Sequence, residues 1–132
     1  MSGITDLATL LRSMTPALNA GEYCFATLPP DHPLPLTACI ATLLEREGRS
    51  VVLSTEDAAQ WQLAAQFPCA WITLTVHSAL HAVGLTAAVS HALAEAGIAC
   101  NVVAGNCHDH LFVPYAAAER AMHILNRLAE TA

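Results

Sequence analysis

Cys107-His108-Asp109-His110 places four metal-binding or proton-handling side chains in an unbroken row. Alternate residues of an extended strand share a face, so His108 and His110 can point the same way. Zinc and related ions need three or four converging ligands held by ordered support. A row of this kind supplies two cleanly, and an aspartate at a turn bonds its own backbone instead. Catalysis by Cys107 needs a base that lowers its pKa, yet neighbours along one strand seldom align as a thiol–imidazole pair. A metal-dependent hydrolase built on Cys107-His108-Asp109-His110 is therefore the remotest reading. No catalytic residue, resident metal or cofactor is expected.

A second group surrounds the start of a helix. His77, Ser78 and His81 precede Val83-Gly84-Leu85, after which apolar residues recur at helical spacing. The first turn of a helix leaves N–H groups unpaired and carries about half a positive charge. A carboxylate is stabilised in such a place, with Gly84 permitting close approach and Ser78 or Thr86 offering a hydroxyl. The competing reading gives Gly84 a role in strand–helix packing alone. No G-x-S-x-G elbow, Walker loop or H-E-x-x-H motif occurs in the chain. The expectation is a binding module, not an enzyme.

The elements that must position these groups are legible as follows. Ile4–Leu18 carries one apolar helical face, with Ser2 or Thr5 to cap it and Gly21 to break it. Glu22–Leu28 is β-prone and stops at Pro29-Pro30; Pro29–Pro35 is extended. Thr37–Arg46 and Ser50–Leu53 form a hairpin around Gly48, and Glu56–Ala65 a short helix, with Pro68 beyond its end. The second half continues with strand Trp71–Val76, helix Val83–Ala96 stopped by Gly97, and strands Ile98–Ala104 and His110–Val113. Helix Tyr115–Ala129 closes the chain.

That half reads β-α-β-β-α, a ferredoxin-like unit one strand short, and the first half is incomplete too. Two such units complete each other by sharing or exchanging strands. The predicted fold class is α+β: two ferredoxin-like βαββα-type pseudo-repeats, residues 1–68 and 69–132, with an antiparallel sheet and helices on one face.

Composition bounds the partners. The 132 residues are 55% hydrophobic and 12% charged, with a net charge of −6 and five Lys and Arg together. That is ample for a core and too few cations for a phosphate-tracking patch, so no nucleic-acid partner is expected. So sparse a charged surface points to apolar area covered in a homo-oligomer. The five cysteines contain no C-x-x-C, no apolar run reaches spanning length, and the N-terminal residues lack a cationic segment followed by an apolar run. A reduced, cytoplasmic protein without membrane contact is the reading.

Trp71–Pro114, with Val83-Gly84-Leu85, Ala96-Gly97-Ile98, Asn101-Val102-Val103-Ala104-Gly105 and His108-Asp109-His110-Leu111-Phe112-Val113-Pro114, resembles an ACT domain. It is particularly similar to small bacterial tandem-ACT proteins of largely unknown function. The first half resembles their N-terminal portion through Gly21-Glu22-Tyr23 and the Glu45–Leu53 hairpin. The resemblance implies a regulatory protein that binds a small metabolite, such as an amino acid, often where paired domains meet. It places ligand contacts at His77, Ser78, Val83, Gly84 and Leu85, with Asn101 and Val102 opposite. Gly97-Ile98-Ala99-Cys100 departs from the Gly-Ile-Asn-Ile pattern of amino-acid-regulated aspartate kinases. With no kinase or transferase domain in the chain, the regulated enzyme is a separate partner. The alternative is a ligand-free structural or oligomerisation module.

Overall fold

The computed structural model describes residues 6–132. Among them are four α-helices and six strands, in the order α1 (Leu7–Ser13), β1 (Pro16–Leu28), β2 (Ala41–Glu45), β3 (Gly48–Ser54), α2 (Thr55–Gln60), β4 (Gln66–Leu74), α3 (Leu85–Glu95), β5 (Asn101–Ala104), β6 (Asp109–Pro114) and α4 (Ala118–Glu130). Single 3-10 turns occupy Leu36–Ala38 and Tyr115–Ala117. The architecture is the expected α+β ferredoxin-like one.

The first helix is shorter than its apolar periodicity predicts. Asp6 caps it, its carboxylate accepting from the Thr9 N–H at 3.0 Å and the Thr9 hydroxyl at 2.7 Å. The expected caps Ser2 and Thr5, like Ile4, lie outside the described residues. The helix stops at Ser13, and Met14 is extended with ψ 127°. Pro16 explains the stop, because a proline pushes the residue before it out of helical geometry. Leu18, expected on the helix, lies in β1 instead. Gly21 does not break an element but sits inside this 13-residue strand with φ +105°.

The described residues divide into two compact units. One comprises the chain up to Ala20 together with Ala70–Ala132. Its strands are hydrogen-bonded in the order β1-β4-β6-β5, and β5 and β6 are antiparallel, with Asn101 opposite Phe112 and Ala104 opposite Asp109. Ala70, Ile72 and Leu74 of β4 alternate with Trp71 and Thr73, as a pleated strand requires. The first set joins Leu111 and Val113 of β6 in a core with Leu10, Leu11, Leu85, Val89, Leu93, Ala121 and Leu125 of the helices. Burying each of the larger side chains contributes about 1.5–3 kcal/mol. α1, α3 and α4 pack on one another over that face.

The other unit is Gly21–Cys69, with strand order β2-β3-β1-β4. Both β1 with β3 and β2 with β3 pair antiparallel. Cys24, Ala26, Leu28, Val51, Leu53 and Ala58 form its core with Leu34. α2 ends at Gln60, five residues before the expected Ala65. Gln62 takes a left-handed φ of 56°, which turns the chain away from the helix.

Candidate functional site

The segment between β4 and α3 holds most of the residues expected to bind a ligand. β4 is tied to β1 at this end: the Thr75 N–H donates to the Thr15 carbonyl at 3.0 Å, and the Thr75 hydroxyl to the same oxygen. Beyond it Val76 is buried, and its carbonyl accepts from the Ser78 N–H at 3.1 Å. His77 and Ser78 are half-buried, whereas Leu80 and Val83 are 69% and 83% exposed.

α3 opens on Gly84, whose φ is +107° and which has no side chain to cap the first turn. Gly84 contributes its carbonyl to the Ala88 N–H at 2.9 Å, the first bond of the helix. Leu85 is buried with Val89 and Leu93, so it can offer a ligand only its backbone N–H. Val83 projects outward. The candidate site therefore combines the backbone of Gly84 and Leu85 with the side chains of His77 and Ser78.

Asn101 and Val102 lie elsewhere. β6 separates β5 from β4, and Asn101 faces Phe112, while the hairpin turn joins the other ends of β5 and β6. Three residues of strand put Asn101 about 10 Å from Ala104. What approaches the loop is the turn itself: His108 Nδ1 is 3.4 Å from the Val76 carbonyl.

The Cys107–His110 row is split by its partners. Cys107 is exposed. His108 faces Val76, whereas His110 Nδ1 lies 3.0 Å from Trp71 Nε1 and 3.1 Å from Thr73 Oγ1. Among the described residues no group of three or more His, Cys, Asp or Glu is arranged to hold a metal ion. Burial pushes the Asp109 carboxyl above its usual range, with His110 and His108 pulling it back. Burial pulls the His110 imidazole down, helped by the charge of His108 and opposed by Asp109.

Asn19 completes this cluster. Its Nδ2 donates to the Trp71 carbonyl at 3.2 Å and to Thr73 Oγ1 at 3.0 Å. The alternation of Trp71, Thr73 and Thr75 on one face of β4 was legible in the sequence, but Asn19 was masked by the apparent helix that precedes it. A separate hollow of about 240 Å³ in the Gly21–Cys69 unit is lined by Phe25, Ala26, Thr27, Ser50, Ala64 and Gln66. None of those side chains is charged, and the Ser50 hydroxyl is already engaged by Glu45.

These elements make up an α+β ferredoxin-like fold, and the family follows from comparison. ACT domain profiles match residues 2–70 and residues 66–127, in tandem. The chain belongs to the ACT domain family. Among solved structures it is similar to a Vibrio cholerae protein of unknown function, described as a possible transport protein: 46% identity, TM-score 0.84, covering 97% of this chain and 99% of that one. It is also similar to a protein from Agrobacterium tumefaciens at 20% identity and TM-score 0.69, covering 88% and 89%. The alpha and beta subunits of an aspartokinase share the fold at 14% identity and TM-score 0.61, covering 86% of this chain and 95% of that one. No curated protein matches the chain. Among the described residues no helix is long and apolar enough to cross a membrane.

Proposed function

We propose that this chain is a non-catalytic regulatory protein that binds a small metabolite, an amino acid, at the loop between β4 and α3. The observation that carries the reading is the start of α3. In a member of a family built around effector binding, an eleven-residue helix begins at a left-handed glycine with no side-chain hydrogen bond capping its first turn. The ligand carboxylate accepts from the N–H groups at Gly84 and Leu85, where the helix dipole favours negative charge. His77 and Ser78 supply side-chain contacts, and Val83 covers the ligand from the outside. Asn101 and Val102 contact a ligand only from a second copy, which makes the functional form a homo-oligomer. Residues 1–68 and 69–132 are the two repeats, the protein acts in the cytoplasm, and a separate enzyme is its target.

Thermal unfolding with each of the amino acids at millimolar concentration tests this. A ligand at a hundredfold its Kd adds about 2.7 kcal/mol of stability. The expected result is stabilisation by one amino acid or a chemically related few, lost in Gly84→Ala. A flat response across the whole panel overturns the reading.

The second reading, a ligand-free oligomerisation module, is favoured by β2. β2 is an edge strand whose outer backbone groups a further strand would pair, and its Leu43 and Leu44 are 66% and 70% exposed. It predicts a concentration-dependent oligomer in sedimentation, indifferent to any metabolite.

A further inference from the structure

We propose that Trp71, Thr73 and His110 form a proton-operated latch between β4 and β6, closed while His110 is neutral and opened when its Nδ1 takes up a proton. The argument is a count of donors and acceptors. An indole N–H donates and never accepts. Trp71 Nε1 lies 3.0 Å from His110 Nδ1, so that nitrogen presents its lone pair. The proton of the neutral ring therefore sits on Nε2. Thr73 Oγ1 lies 3.1 Å from the same Nδ1 and accepts from Asn19 Nδ2 at 3.0 Å. Its own O–H is left to donate to the imidazole. In the closed state Asn19 donates to Thr73 and Trp71 donates to His110, while the Thr73 O–H shares the one lone pair of Nδ1 in a three-centre bond.

A proton on Nδ1 sets N–H against N–H. Thr73 resolves its part by rotating the hydroxyl and accepting. Trp71 has no such option, so the indole must withdraw from the imidazole. The two rings, whose centroids are 5.8 Å apart, separate.

The titratable groups acting on His110 are its strand neighbours His108 and Asp109. β1 presents Asn19 to the cluster and β4 presents Trp71 and Thr73, none of which titrates near neutrality. β5 places Val103 opposite His110. A cationic His108 opposes charging of His110, an ionised Asp109 favours it, and burial opposes it most. Opening therefore belongs below the usual value of 6.5. The latch needs no ligand to operate, and it stands beside the stem of the β4–α3 loop, where His108 meets the Val76 carbonyl.

Two tryptophans are present, so Trp61→Phe leaves Trp71 as the one tryptophan, excited selectively at the red edge where the tyrosines do not absorb. In that background the emission of Trp71 is recorded from neutral pH down through 6.5 and into the acid range. The expected result is a reversible change with its midpoint below 6.5. In Trp61→Phe/His110→Asn the side-chain oxygen keeps an acceptor near the Nδ1 position and cannot be protonated, so the change disappears. Ring-nitrogen NMR of His110 gives a second readout that does not depend on that variant folding. Trp71→Phe removes a bond that only the neutral ring makes, and the His110 titration moves to higher pH. An emission that is constant through the window overturns the latch. So does the same emission change persisting in His110→Asn, or a His110 titration unmoved by Trp71→Phe.

Discussion

A methyl group built onto Gly84 would meet Cδ2 of Leu7 at 3.0 Å. That contact joins the start of α3 to α1, two elements far apart in sequence. With φ at +107°, Gly84 also holds a conformation that side-chain-bearing residues rarely adopt. Gly84→Ala is expected to cost about 1–3 kcal/mol, measured by urea unfolding. Leu7→Ala in the same background relieves the steric part and leaves the backbone part. Full recovery of stability in the double variant would refute the backbone component.

Asp109 predicts a pH dependence of definite sign. Burial raises its carboxyl above 3.8, so the folded chain holds this proton more tightly than the unfolded chain does. The contribution of this group to stability therefore falls as pH rises from about 3.8 through the raised value, then stays constant. Asp109→Asn is expected to match the parent at the acid end and to exceed it in stability above that window. Unfolding curves taken across the range check the divergence.

All five cysteines are free thiols, and they differ in access. Cys69 is buried and its thiol is pushed up to about 12, chiefly by burial with Cys24 and Glu22 adding to it. Burial pushes Cys100 up to about 11. Cys107 is exposed. A thiol reagent applied to the folded protein is expected to modify Cys107 first and Cys24 and Cys69 only on unfolding, as peptide mass spectrometry will show. Early modification of Cys69 would contradict its placement.

Leu93 and Leu44 are the same residue type in opposite surroundings, 0% and 70% exposed. Leu93→Ala empties part of the packed core and is expected to cost about 2–5 kcal/mol. Leu44→Ala is expected to change the stability of the monomer by no more than about 0.5 kcal/mol. If β2 mediates self-association, the Leu44 variant shows its effect in sedimentation velocity, not in denaturation.

The second half of the chain was the more legible, for a physical reason. Helix and strand signals there are local: α3 was expected over Val83–Ala96 and runs Leu85–Glu95, and the stripe Leu85, Val89 and Leu93 is buried as its spacing predicts. The first half misled because Leu7, Leu10, Leu11 and Leu18 continue one helical period across Pro16. The tertiary pairing of Pro16–Ala20 overrides that period, since β1 bonds to β4 through residues such as Asn19 and Trp71. The strand expected from Trp71 begins earlier, at Gln66, so that Pro68 lies within β4. Of the site, the β4–α3 loop and its glycine were readable. The direction of His110 was not, because it depends on an asparagine and a tryptophan brought in from two other strands.

The Ala70–Ala132 fold borrows Leu10, Leu11 and Met14 from the opposite end of the polypeptide to close its interior. A gene fragment encoding only the latter half would thus yield a body with an open flank, prone to capture that missing piece from a neighbour.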